Sequence, residues 1–354
     1  MGGMHEGGPG GQGGRRRSGT LLAAVAALLG VPGTALAVLR LIPWDIGTPW
    51  IQVLSVFPAS LVLTAAAAAV AVAALCVDLR LGRAVLAATV MAVMLLQVAM
   101  VLPRVLSPNG TVTAPQAGPA SAGRPAPTRT VSVMALNVGK TGVDAGALLA
   151  EANARNVEIL ALPELAPEGL EALESAGLAS DYPYRSLDVD WAGTGNAIFS
   201  VFPLQVEERV PGTVFYQSRA VAAVPGIRGG IDLTAVHIDS PRPGHTPKWR
   251  QELRQLGDLR LALPDSREAI LLGDFNASQD HREFRELLAT GLTDASQAAG
   301  KGLAPTWPAN SDIPLFVAVD HILVTPGIGV LDFDTFTVPG TDHTAVVAEL
   351  ALYG

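Results

Sequence analysis

From Thr20 to Leu102 the chain is nearly uncharged, and no other feature limits its possible folds so strongly. The stretch divides into three apolar runs, about 20–39, 51–77 and 84–102. Each is close to or above the ~18–20 residues that cross a bilayer as a helix. A buried helix of a water-soluble domain rarely needs a run so long and featureless, so three membrane spans are expected. The mean hydropathy of +0.36 and the 49% hydrophobic content are concentrated in this region.

The cations set an orientation. Arg15, Arg16 and Arg17 precede the first run, and Arg80 and Arg83 lie in "DLRLGR" between the second and third. Under the positive-inside rule both groups stay cytoplasmic, which makes a multi-pass protein of the cell membrane with residues 103–354 extracellular. A competing reading takes "RRRSGTLLAAVAALLGVPGTALA" as a signal peptide cut after Ala35-Leu36-Ala37. It removes one span and leaves the carboxyl-terminal region on the same side. Residues 1–19, Gly-rich and basic, read as a disordered cytoplasmic tail. Residues 103–129 hold six prolines and read as an extended linker with a reach on the order of 30 Å. The single cysteine, Cys76, falls in the second run, so no intrachain disulfide supports the rest.

Charge is split unevenly. Residues 1–129 hold 9 Lys/Arg against 3 Asp/Glu, and residues 130–354 hold 15 against 29. A domain of net charge −14 has no general attraction for DNA, though it can handle a single phosphate through metal ions.

From Thr130 the pattern changes to that of an α/β domain, 130–354. "VSVMALNV", "DAGALLAEANARN" and "VEILALPE" read as strand, helix and strand. Further strands are expected at "GNAIFSVF", "RAVAAVPG", "GIDLTAVHI", "EAILLGDFN", "AVDHILVT", "VLDFDTFTV" and "TAVVAELAL". "PKWRQELRQLGDLRLAL" and "DHREFRELLAT" have helical spacing. Many strands and few helices point to two packed sheets with helices outside.

Polar residues recur where these strands end: Asn137, Glu164, His237, then Asp274 and Asn276 in "LLGDFN". Asp320 lies inside "VAVDHILV", and Asp342-His343 precede the last strand. Strand alternation would put Asp274 and Asn276 on one side. Gathered at one rim, these groups form an oxygen-rich cluster suited to Mg²⁺, Mn²⁺ or Ca²⁺; zinc would want more His or Cys. Taken singly, each has a plainer reading. Glu164 could open a helix, "GDFN" could be a strand–helix junction capped by Asn276 or Ser278, and His237 could be a hydrogen-bonded core histidine. Asp320 is harder to explain that way, because a buried carboxylate without a partner is costly.

In order, "LNV", "LPE", "GNAIFS", "HIDSP", "GDFN", "TW", "DHI" and "DH" resemble the endonuclease/exonuclease/phosphatase superfamily across essentially all of residues 130–354. The resemblance implies a DNase I-like four-layered α/β sandwich preceded by three transmembrane helices. With those helices the chain looks most like the VanJ type of actinobacterial membrane protein, linked to glycopeptide (teicoplanin) resistance. By resemblance, Glu164 is the main Mg²⁺ ligand, Asn137 stands beside it and Asp342 is close to the metal; Mn²⁺ is a possible substitute. Asp274 orients and deprotonates the attacking water, and Asn276 holds that water or a phosphoryl oxygen. His343 contacts the phosphate, Asp320 holds its ring, and His237 donates to a non-bridging oxygen. Asn196 matches a substrate-side position. The reaction implied is metal-assisted in-line hydrolysis of a phosphate ester.

The pattern departs from the family at Pro163, where Gln is frequent, and at Val201, where Arg is frequent. His245, His281 and His321 have no family role and read as surface or structural. Trp307 reads as a rim or packing aromatic. The tether, the acidic domain and only three lysines after residue 129 favour a membrane phosphate ester, such as an undecaprenyl (pyro)phosphate, over nucleic acid. The partners expected are therefore the bilayer and a phosphorylated envelope lipid, with no specific nucleic-acid binding and no inferable protein partner. An anchored extracellular nuclease and a catalytically silent binding protein are the alternatives.

Overall fold

The computed structural model describes residues 10–106, 126–139, 142–191, 193–264 and 266–354. The chain forms two compact units. One takes in the chain up to Ile46 together with Val56–Leu102, and the other takes in Gly47–Ser55 together with the chain from Pro103 onward.

The first unit contains α1 (Gly10–Leu41), α3 (Phe57–Val77) and α4 (Leu81–Val101), with α2 (Thr48–Leu54) interposed in sequence. Three helices, Gly14–Leu41, Phe57–Val77 and Leu81–Arg104, are long and apolar enough to cross a membrane. Small side chains bring them together: Ala26, Ala71 and Ala87 form one buried cluster. The Gln97 amide, fully buried, donates to Gly33 O at 3.1 Å and Ser60 Oγ at 3.0 Å. The 51–77 run is not one helix. Pro58 occupies the first turn of α3, where a missing N–H is tolerated, and the chain breaks at Ser55–Val56 just before it. Residues 10–19 of the expected tail belong to α1, while residues 1–9 and linker residues 107–125 lie outside the described residues.

The second unit is a four-layered sandwich. Its strands are β1 (Arg129–Ala135), β2 (Ile159–Ala161), β3 (Tyr184–Asp188), β4 (Asn196–Ser200), β5 (Leu204–Glu207) and β6 (Arg219–Ala222), followed by β7 (Ile231–His237), β8 (Ala269–Asp274), β9 (Thr293–Asp294), β10 (Asp320–Val324), β11 (Ile328–Thr337) and β12 (Thr344–Leu352). They form two six-stranded sheets, ordered β11-β12-β1-β2-β4-β3 and β5-β6-β7-β8-β10-β9. All nine expected strands form. The three additions, β3, β5 and β9, are short, and each stands at a sheet edge.

Alternating residues of central strands, such as Val131, Val133 and Ala135 of β1, meet Leu233, Ala235, Ile270 and Leu272 of the facing sheet. The opposite face of β1, Met134 with Leu136, packs under α5 (Ala145–Ala154), α6 (Pro167–Ser175) and α7 (Leu178–Asp181). On the outside of the second sheet lie α8 (Thr246–Ala262) and α9 (Arg282–Leu288), and a last short helix, α10 (Ala295–Ala298), comes after β9. There Phe284 of α9 packs on Phe275 and His321, and Trp249 of α8 donates to Asn276 O at 3.0 Å. β7 and β8 are buried along their whole length, so they read as near-continuous apolar runs with any polar residue conspicuous.

Candidate active site

Sheet register builds the first row of the site. β7 and β8 are parallel, with His237 level with Asp274, and β10 runs antiparallel to β8 with Asp320 opposite Asp274. Two carboxylates facing each other across strands repel unless a cation separates them. His343, one residue before β12, supplies it: Nδ1 lies 2.9 Å from Asp320 Oδ2 and Nε2 lies 3.8 Å from Asp274 Oδ2. Burial alone would depress this imidazole, but Asp320 and Asp274 outweigh it and push its pKa up to about 10, so the ring is an imidazolium. Burial, with Asp320 adding to it, raises Asp274 to about 7, against the opposing pull of His343 and the hydrogen bonds from Asn276 and Asn137. Such a carboxylate is poised to accept a proton near neutrality.

β1 and β2 deliver the facing side. The Asn137 amide donates to Glu164 Oε1 at 3.2 Å and to Asp274 Oδ2 at 3.1 Å, while Thr341 fixes the Asn137 carbonyl with a 2.6 Å hydrogen bond. Glu164 has a left-handed backbone, φ 62°, unusual for a residue with a side chain, and keeps a quarter of that side chain exposed. Asn276 is also left-handed at φ 46°. β8 ends at Asp274, so Asn276 reaches the site through this turn and not by strand alternation. Its N–H donates to Asp274 Oδ1 (2.8 Å), and its amide donates to Ile238 O (2.9 Å) and Asp274 Oδ2 (3.3 Å).

His237 is a neutral ring. Burial, reinforced by the His343 charge, drives its pKa down to about 3, and Phe215 stacks on it at 3.9 Å. Its contacts to Glu164 Oε1 (3.7 Å) and Asp274 Oδ2 (3.9 Å) are therefore not ion pairs. Nδ1 is buried with no hydrogen-bond partner among the described residues. Gln217 brackets the His237 backbone, accepting from its N–H at 2.9 Å and donating to its carbonyl.

Of the nine residues singled out in the sequence, Glu164, His237, Asp274, Asn276, Asp342 and His343 line one cavity of about 640 Å³. Asn137 and Asp320 brace lining residues. Asn196 does neither: fully buried, its amide donates to Tyr216 O and Ala235 O and accepts from Ala197 N. Asp342 accepts from the Trp307 indole at 3.0 Å, which puts that aromatic on the rim. Sequence reading missed Phe215 and Phe316, which add apolar wall, and Arg242. These are loop residues without a strand-end pattern to mark them. Two of the unassigned histidines are buried and structural. His321 bridges Asp294 (3.0 Å) and Ala277 O (2.9 Å), and His281 bridges Ser278 N and Ile51 O. His245 is half-buried and pairs with Asp239 at 2.7 Å.

Several of these groups are candidate ligands for a hard cation. Asp274, Asp320 and His343 offer ligand atoms within 4.8 Å of one another, with both His343 nitrogens already turned to the two carboxylates. Carboxylate oxygens remain: Glu164 and Asp342 on the cavity wall, and Asp320 Oδ1, buried with no hydrogen-bond partner among the described residues. Oxygen donors without thiols suit a hard divalent ion. Chemically the site offers a base at Asp274, a fixed cation at His343 and a neutral donor at His237 around one space.

A family model described as Endonuclease/Exonuclease/phosphatase family matches residues 134–343. No curated protein matches the chain. Among solved structures, an endonuclease/exonuclease/phosphatase from Beutenbergia cavernae is 21% identical, with a TM-score of 0.52 over 64% of this chain and 72% of that one. D. rerio TDP2 complexed with single strand DNA product is 16% identical, with a TM-score of 0.51 over 62% and 98%. A functionally unknown conserved protein from Enterococcus faecalis is 15% identical, with a TM-score of 0.50 over 62% and 99%. At these identities the likeness is one of fold, the DNase I-like sandwich. The family match spans more than half of the chain and takes in the Glu164, Asp274 and His343 positions; the chain belongs to the endonuclease/exonuclease/phosphatase family.

Proposed function

We propose that the chain is a membrane-anchored, Mg²⁺-dependent phosphoric ester hydrolase whose domain faces the cell exterior and acts on a lipid phosphate or pyrophosphate of the envelope. The observation that carries this is the composition of the cavity, where the Asp274–His343–His237 set stands against an apolar wall of Phe215, Trp307, Phe316 and Val317. That pairing suits a phosphate joined to a hydrocarbon chain. Three apolar helices in the same chain would keep it at a lipid surface. The positive-inside rule supports the outward orientation.

Enzymes of this family in general use a divalent cation. Glu164 and Asp342, with Asn137 behind Glu164, would hold it, and bound there it would polarise the phosphoryl group as a Lewis acid. The protein's own groups do the rest. Asp274 takes the proton of the attacking water, Asn276 and Asn137 hold the Asp274 carboxylate in place, and His343 and His237 donate to phosphoryl oxygens as negative charge grows.

Nuclease action is the second reading, favoured by the fold shared with TDP2, which was solved with a DNA product. Against it stand the −14 domain and a cavity whose wall, among the described residues, carries Arg242 as its one Lys or Arg. The VanJ-type likeness belongs to the first reading. In a strain dependent on this chain for teicoplanin resistance, Asp274→Ala at normal protein level should abolish the resistance. Unchanged resistance contradicts the envelope role.

A further inference from the structure

One wall of the cavity comes from neither sheet. Gln52 and Ser55 line it, and both belong to the Gly47–Ser55 segment, which lies in sequence between α1 and α3 but packs as part of the phosphoesterase unit. Ile51 and Leu54 of α2 are buried, at 0% and 3% exposure, and Thr48 shares a 2.5 Å hydrogen bond with Thr246 at the start of α8.

His281 completes the attachment. Its Nδ1 accepts from Ser278 N at 2.8 Å, which leaves Nε2 protonated to donate to Ile51 O at 3.0 Å. Burial holds the ring below its usual pKa, in keeping with one donor and one acceptor. The same loop carries Asp280, whose carboxylate takes both terminal nitrogens of Arg104, just past α4. Both partners are buried, Arg104 at 4% and Asp280 at 2% side-chain exposure. So the loop after the Asp274–Asn276 turn is fastened to two stretches of chain that flank the apolar helices in sequence.

We propose that α2 is a substrate-positioning wall of this site: the Gln52 amide and Ser55 hydroxyl bind the polar part of a lipid phosphate or pyrophosphate beyond the scissile phosphate, and His281 seats them. This rests on the lipid phosphoesterase reading. Gln52 is exposed toward the cavity and supplies two donors and an acceptor without charge. Those groups suit the oxygens of a pyrophosphate held in the cavity that His343 also lines. A cavity of about 640 Å³ is larger than one phosphoryl group fills, so the space beside α2 is available for a second phosphate or the start of the lipid chain.

The test uses the full chain in detergent with Mg²⁺ and farnesyl pyrophosphate. Gln52→Ala and Ser55→Ala should each raise KM about 3- to 10-fold, the loss of one neutral hydrogen bond, with kcat within about twofold. A wall that only packs would lower Tm and leave KM alone, and unchanged KM in both variants overturns the proposal. A readout independent of turnover uses Gln52→Cys combined with Cys76→Ser and Asp274→Ala. Farnesyl pyrophosphate should slow maleimide labelling at position 52 several-fold. If the wild type hydrolyses no lipid phosphate, the parent reading fails and the labelling decides alone: slowed labelling keeps the wall as a binding surface, and unchanged labelling removes it.

Discussion

Gly273 in "LLGDFN" is where sheet geometry and chemistry meet most tightly. Its φ is 141°, and a Cβ placed on it would lie 2.1 Å from Val236 O of the neighbouring strand. Real Cβ contacts essentially never fall below 3.0 Å, so Gly273→Ala must open the β7–β8 ladder by about 1 Å. The opposing atom is backbone in a strand buried along its whole length, which leaves no side chain to swing aside. Overpacking of this kind costs about 1–3 kcal/mol, and forcing an alanine to that φ adds roughly 1–2 kcal/mol. A total of about 2–5 kcal/mol corresponds to a fall in Tm of roughly 4–20 °C for a domain of this size. The shift also falls on the pair that sets His237 level with Asp274. A displacement of about 1 Å costs on the order of 100-fold in rate. The assay is kcat for phosphate release at 15 °C, where the variant is folded, beside near-UV circular dichroism and Tm. Lowered Tm with full kcat would show that the register does not position the base; unchanged Tm and kcat would refute the steric argument altogether.

Other outcomes are expected from the same site. Activity should fall as pH drops through about 7, where Asp274 takes up a proton, and fall again above about 10, where His343 loses its own. Asp320→Asn removes the carboxylate bonded to His343, so the alkaline limb of the pH–rate profile should move down by several units, with about 100- to 1,000-fold less activity at pH 8; an unmoved limb contradicts the role given to the pair. Asn137→Ala should raise the Mg²⁺ concentration for half-maximal activity about 10- to 100-fold, read by titration after chelation, since its amide braces Glu164. Asp294→Asn breaks a buried pair and should cost about 3–5 kcal/mol at neutral pH, measured by denaturant melts. Asp294 is lowered and His321 raised, burial opposing the pairing in both. The stability they contribute is lost as pH falls through the lowered Asp294 value and as pH rises through the raised His321 value. The asparagine variant should lose that dependence on both sides.

Much of this was legible because long periodic segments announce themselves. The apolar helices were visible by length, and nine strands by their bounding turns. α2 was not, because its apolar end, "IQVL", runs with only two residues between into the apolar helix after it, and hydropathy does not distinguish lipid from a protein groove. Pro58 was the available sign, being a residue that starts helices and seldom interrupts them. The short edge strands β3 and β5 carry too few residues to show a period. At the site, strand-end position marked residues that sheet register brings together, as for His237, Asp274 and Asp320. At Asn196 the amide instead bridges the Tyr216 carbonyl, in the loop before β6, and the Ala235 carbonyl of β7, a demand set by packing that no local pattern announces. Asp320, conspicuous as a buried carboxylate, found its partner 23 residues on in His343.

The central claim is tested most directly by phosphate release from undecaprenyl pyrophosphate by the purified full chain in detergent with Mg²⁺, run beside plasmid DNA cleavage, with Asp274→Ala as the blank. The expected result is lipid turnover that the variant and chelation both abolish, and no DNA cleavage above the blank. DNA cleavage without lipid turnover would contradict it.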